Sequence, residues 1–137
     1  IDFSKPSNIK RLVVIDSKRN KVLMKEYVSH GRKTGQLHSV DFSNNINSHQ
    51  SSLGVYKTAE TYNGKYGYSL KLDGLSNTNS NARKRFIVMH PADYSTPDFI
   101  KKNGILGRSW GCPSISPEIS KTMINLIKGG TYIYAFN

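Results

Sequence analysis

The stretch from Leu53 to Leu72 constrains the fold most, because it reads as two alternating strands joined by a turn. Leu53–Tyr62 (LGVYKTAETY) alternates, Asn63-Gly64-Lys65 supplies the turn, and Tyr66, Tyr68, Leu70 and Leu72 share one face of the return strand. Other runs can join this hairpin in a sheet. Ile9–Asp16 and Lys21–Ser29 flank Ser17-Lys18-Arg19-Asn20 as an opening hairpin. Arg85–His90 (RFIVMH) is a short apolar strand stopped by Pro91, which has no N–H for a ladder. Thr131–Phe136 (TYIYAF) is a closing strand.

Helical signals are fewer. Ser116-Pro117-Glu118 combines a capping hydroxyl, a proline at the first position and an acid at the positive dipole end. Ile119, Met123, Leu126 and Ile127 then recur at helical spacing as one buried stripe, and Gly129-Gly130 ends the helix. Thr96-Pro97-Asp98 starts a shorter helix through about Lys102, ended by Asn103-Gly104. His30–Gln50 is polar and reads as a long surface connection with weak strand signal at Leu37–Phe42; a connection of that length is often functional. Gly74–Asn81 is loop by composition. The expected fold is mainly β, with five to seven strands and one or two helices (α+β). It forms a single domain over 1–137, with its core at about 9–136 and an N-terminal extension at 1–8.

At 137 residues the chain can bury a core without disulfides. No run approaches the ~18 apolar residues of a membrane span. The net charge of +11 favours anionic partners. The charge is dispersed, with Arg83-Lys84-Arg85 as its densest cluster, and no Lys/Arg stripe with interleaved aromatics marks a nucleic-acid binder. No His, Cys and carboxylate cluster has metal-ligand spacing, and no cofactor is expected.

The chemistry concentrates in Arg108-Ser109-Trp110-Gly111-Cys112-Pro113-Ser114, which holds the only cysteine and the only tryptophan. A lone cysteine is more often an inert buried hydrophobe than a nucleophile. Attack on a carbonyl needs the thiolate, and therefore a base or cation within reach of the sulfur. His90 is preferred as the base because a strand fixes it, whereas His30, His38 and His49 lie in the polar connection. Arg108 adds positive potential that lowers the thiol pKa or holds a substrate carboxylate. Gly111 lets a carbonyl approach the backbone, so the Gly111 and Cys112 amides are candidate oxyanion donors. Pro113 makes the support after the sulfur rigid.

The segment from Met89-His90 to Ser109-Trp110-Gly111-Cys112, with 22 positions from His90 to Cys112 and a helix after it, resembles the catalytic region of YkuD-type L,D-transpeptidases. The early hairpin, the Gly54-Val55-Tyr56 strand and the strand after Gly129-Gly130-Thr131 extend the likeness over about Ile9–Phe136. Trp110 stands where the main motif has a second His, and the His-Pro and Ser-Trp-Gly-Cys-Pro forms are similar to the divergent YkuD-like 2 branch. The resemblance implies an L,D-transpeptidase-like mixed β-sandwich or sheet domain. It implies that Cys112 attacks a tetrapeptide stem of peptidoglycan, that D-Ala leaves protonated by His90, and that the acyl-enzyme passes to an acceptor amine. The Pro91 carbonyl would orient His90, and Arg108, Ser109, Trp110 and Tyr94 would contact substrate. Water as acceptor would make the same site an L,D-carboxypeptidase or endopeptidase, and an inert site would leave a cell-wall-binding module. The expected setting is a monomer, exported to the periplasm or wall space, with its signal peptide outside this stretch, which begins without Met.

Overall fold

The computed structural model describes residues 1–137 as seven strands, two α-helices and one 3-10 turn, so the mainly β, α+β expectation holds. The opening hairpin pairs β1 (Leu12–Asp16) with β2 (Lys21–Glu26) in a two-stranded sheet of its own. The main sheet contains β3 (Gly54–Gly64), β4 (Gly67–Gly74), β5 (Val88–Pro91), β6 (Ser114–Ile115) and β7 (Tyr132–Ala135), in the order β6-β5-β4-β3-β7. All pairs are antiparallel except β5 with β6, which run parallel with His90 opposite Ser114 and Pro91 opposite Ile115.

The central hairpin forms with one change. Gly64 pairs with Gly67, so the turn is Lys65-Tyr66, and Tyr66 lies in the turn rather than on the return strand's face. Tyr68 packs against the core, and Leu70 and Leu72 are buried in it. The β5 strand starts later than expected because Phe86 has φ 55°, a left-handed conformation that interrupts extended backbone just before Ile87. The short β6 had no signal of its own, and neighbouring β5 draws it into the sheet.

Helix α1 (Pro97–Asn103) is capped by the Thr96 hydroxyl, which accepts from the Phe99 N–H, and ends at left-handed Gly104. It buries none of its residues. Helix α2 (Pro117–Ile127) packs against β4 and β5 through a stripe rotated from the expected one. Ser120, Met123, Ile124 and Ile127 are buried, whereas Leu126 is exposed and Ile119 half-buried. Ser116 makes no side-chain cap.

Two further expectations change. Residues 1–8 are not an extension: Phe3 is a core residue, Asp2 bridges to Phe136, and Ser7 is buried. The 30–50 connection forms no strand, yet it is not all surface, because His30, Thr34 and Ser39 are buried. It wraps Arg11, a buried guanidinium with no carboxylate partner. Arg11 donates to the Val28 carbonyl (3.2 and 2.8 Å), the Lys5 carbonyl (2.9 Å), Ser39 Oγ (3.3 Å) and His30 Nδ1 (2.8 Å). His30 is thus a structural acceptor in the interior. Burial and the Arg11 charge push its pKa down to about 4.

Candidate active site

Both candidate residues stand at the β5–β6 edge. His90 is the third residue of β5, and Cys112 lies two positions before β6. Parallel pairing of His90 with Ser114 therefore puts Cys112 beside Val88, one two-residue step along the strands. At about 3.3 Å per residue, that step is about 6–7 Å. The thiol's hydrogen-bond partners are backbone groups. Val88 N–H donates to Sγ (3.4 Å), and the S–H donates to the Phe86 carbonyl (3.4 Å). No hydrogen bond joins the thiol to the imidazole in this resting geometry. Burial pushes the thiol up to about 11, against the opposing effects of the Val88 N–H and the Arg85 charge.

The imidazole is held by two contacts. A carbonyl only accepts, so the 2.9 Å contact to the Pro91 carbonyl puts the proton on Nδ1 and leaves Nε2 as the basic nitrogen. Tyr66, carried by the β3–β4 turn, stacks on the ring at 4.5 Å between centroids. Burial lowers the His90 pKa below its ordinary value, with the Pro91 bond acting the other way, so the ring is neutral at neutral pH.

The remaining expected residues divide. Tyr94 sits in the 3-10 turn (Asp93–Ser95) and accepts from Ser114 Oγ at 3.3 Å, which places it beside the His90–Ser114 pair. Ser109 is buried and committed inward: its hydroxyl donates to the Cys112 carbonyl (2.6 Å) and accepts from the Gly111 N–H (3.1 Å). Ser109 thus shapes the turn, and the Gly111 amide, expected as an oxyanion donor, is already engaged. The Cys112 amide makes no bond within the protein. Arg108 donates to the Arg32 and Gly35 carbonyls at 3.1 and 3.4 Å. Trp110 is 68% exposed and stacks flat on His49, with 4.5 Å between centroids and 9° between planes.

Gly111 has φ 117°, and a Cβ there would fall 2.6 Å from the Gln50 carbonyl and 3.1 Å from Arg85 Nη2. Glycine is required by both strain and space. A groove of about 290 Å³ runs along Tyr62, Lys71, Phe86 and Val88, the last two being the residues whose backbone groups bond the thiol, and Phe86 is 82% exposed. Sequence reasoning missed Tyr66, Ser114, Arg85 and Phe86. Of these, Arg85 was visible only as part of a basic triplet, and the others carried no distinguishing signal.

In a comparison with protein families, the family model described as the L,D-transpeptidase catalytic domain matches residues 1–136. No curated protein and no solved structure matches the chain.

Proposed function

The chain belongs to the L,D-transpeptidase catalytic domain family, and on that premise we propose that Cys112 and His90 catalyse acyl transfer between peptidoglycan stem peptides. The observation that carries the reading is the His90 ring, locked by the Pro91 carbonyl with Nε2 basic, one strand step from the family's cysteine position. His90 Nε2 takes the thiol proton as Sγ attacks the carbonyl between diaminopimelate and D-Ala. This requires the S–H to leave the Phe86 carbonyl and turn toward the imidazole. The Cys112 N–H meets the developing oxyanion, worth about 3 kcal/mol for a well-placed donor. His90 gives its proton to the departing D-Ala amine, and a thioester remains. An acceptor amine then attacks the thioester, loses its proton to His90, and releases the sulfur. The Tyr62–Phe86 groove is the stretch of surface that would take the stem peptide, and Tyr94, bonded to Ser114, is a further candidate contact. The net charge of +11 raises the local concentration of an anionic wall polymer, which suits an extracytoplasmic site of action.

Incubation with a disaccharide-tetrapeptide is the test. Release of D-Ala with formation of cross-linked dimers is expected, and Cys112→Ala and His90→Ala should each abolish it. A carbapenem should add covalently to wild type and not to Cys112→Ala. Release of tripeptide alone would instead mean hydrolysis at the same site. An unmodified wild type that releases no D-Ala would overturn the assignment and leave a binding module.

A further inference from the structure

Arg85 lies just before β5, with its guanidinium half-buried between the 43–50 loop and Gly111. It donates to the Ser43 carbonyl (3.0 Å), Ser48 Oγ (3.0 Å) and the Gln50 carbonyl (2.6 Å). None of these acceptors is charged, so nothing in its hydrogen-bond shell neutralises it. Both Nη2 hydrogens are engaged by the loop, which fixes the cation rather than leaving it free to follow a ligand.

The charges around the sulfur make this cation stand out. Tyr56 and Tyr62 from β3 and Tyr94 from the 3-10 turn all have pKa values raised first by burial, so they are neutral. His90 from β5 is neutral through burial. Lys71 from β4 lies 5.4 Å over the Tyr62 ring, and Arg83 is paired with Glu60 and Asp73. Arg85 has no carboxylate on it and lies next to the nucleophile's peptide, with Nη2 3.1 Å from where a Cβ on Gly111 would stand, and its charge acts to lower the Cys112 pKa.

We propose that Arg85 is a positioning residue for Cys112, which supplies a fixed positive charge beside the Gly111–Cys112 peptide and pins the 43–50 loop as the wall behind it. The charge favours the thiolate once His90 Nε2 has taken the proton, and favours the oxyanion at the Cys112 N–H afterwards. This rests on the reading of Cys112 as the nucleophile, but alkylation of the thiol can be followed whether or not acyl transfer occurs, so the two ideas fail separately.

The experiment is the pH profile of Cys112 alkylation by iodoacetamide in the intact chain. Arg85→Gln should move the profile to higher pH by about one, roughly a tenfold slower reaction at a fixed pH below the thiol pKa. Arg85→Lys should recover most of the rate. Ser48→Asp provides a second arm that keeps an acceptor for Nη2 while cancelling the charge, and it should shift the profile in the same direction as Arg85→Gln. A purely structural Arg85 would be unaffected by Ser48→Asp. If Arg85→Gln does not fold, Ser48→Asp decides alone. Profiles identical to wild type in folded Ser48→Asp would overturn the proposal.

Discussion

A buried imidazole can be a base or a strut, and this chain contains one placed for each role. His90 keeps Nε2 unoccupied by protein, whereas His30 accepts from Arg11 at Nδ1 and donates from Nε2 to the Gly35 carbonyl at 3.1 Å. Burial disfavours the charged ring, and protonating His30 would also put a second cation against a buried guanidinium, so its folded pKa is about 4 instead of the ordinary 6.5. Between those values the unfolded chain binds a proton that the folded chain does not. Stability is therefore complete above about pH 6.5 and falls as pH drops toward 4, by roughly 3 kcal/mol from this residue. His90, also lowered by burial, acts in the same direction. Urea unfolding across that range should show the decline, and His30→Asn, which offers Arg11 a non-titrating acceptor, should flatten part of it. The candidate nucleophile and base were legible in the sequence because a strand end and a Gly-Cys-Pro turn constrain them. His30 was not, because only the folded connection reveals that it encloses Arg11.

The elements differ in how clearly their residues announce them. Alternation in β3 and β4 and the proline-led starts of α1 and α2 were readable because each depends on local spacing. The two-residue β6 is long-range, and the buried face of α2 depends on which side the sheet approaches. The expected stripe took Leu126 as buried, but Ile124 faces the sheet and Leu126 is 46% exposed. Chemical denaturation can check this: Ile124→Ala should cost about 2–5 kcal/mol, whereas Leu126→Ala should cost under about 1 kcal/mol. Equal losses would mean that the helix is rotated from the face described. Phe86 shows the same limit at one position, because nothing in RFIVMH signals a left-handed φ before the strand begins.

For the whole molecule, the N-terminal residues close the fold instead of trailing from it. Phe3 packs at the core with Arg11 5.0 Å over its ring, and its N–H donates to the Phe136 carbonyl at 2.7 Å. Phe3→Ala should lower stability by about 3–5 kcal/mol and uncover Arg11, a loss measurable as a lower urea midpoint. The short polar surroundings of Phe3 hid this role in the sequence, since one aromatic without periodicity carries no strand or helix signal. The parallel β5–β6 pair acts at the same scale. Parallel neighbours require a crossover, and here 92–113 leaves the sheet, forms the unburied α1 and returns. Strand register fixes where Cys112 stands relative to His90, while the crossover only has to be long enough. The spacing between the two residues is therefore slack that sequence change can lengthen at α1. A search keyed on their separation would pass over relatives with the same chemistry, whereas one keyed on a His-ending strand followed by a Gly-Cys turn entering its parallel neighbour would find them.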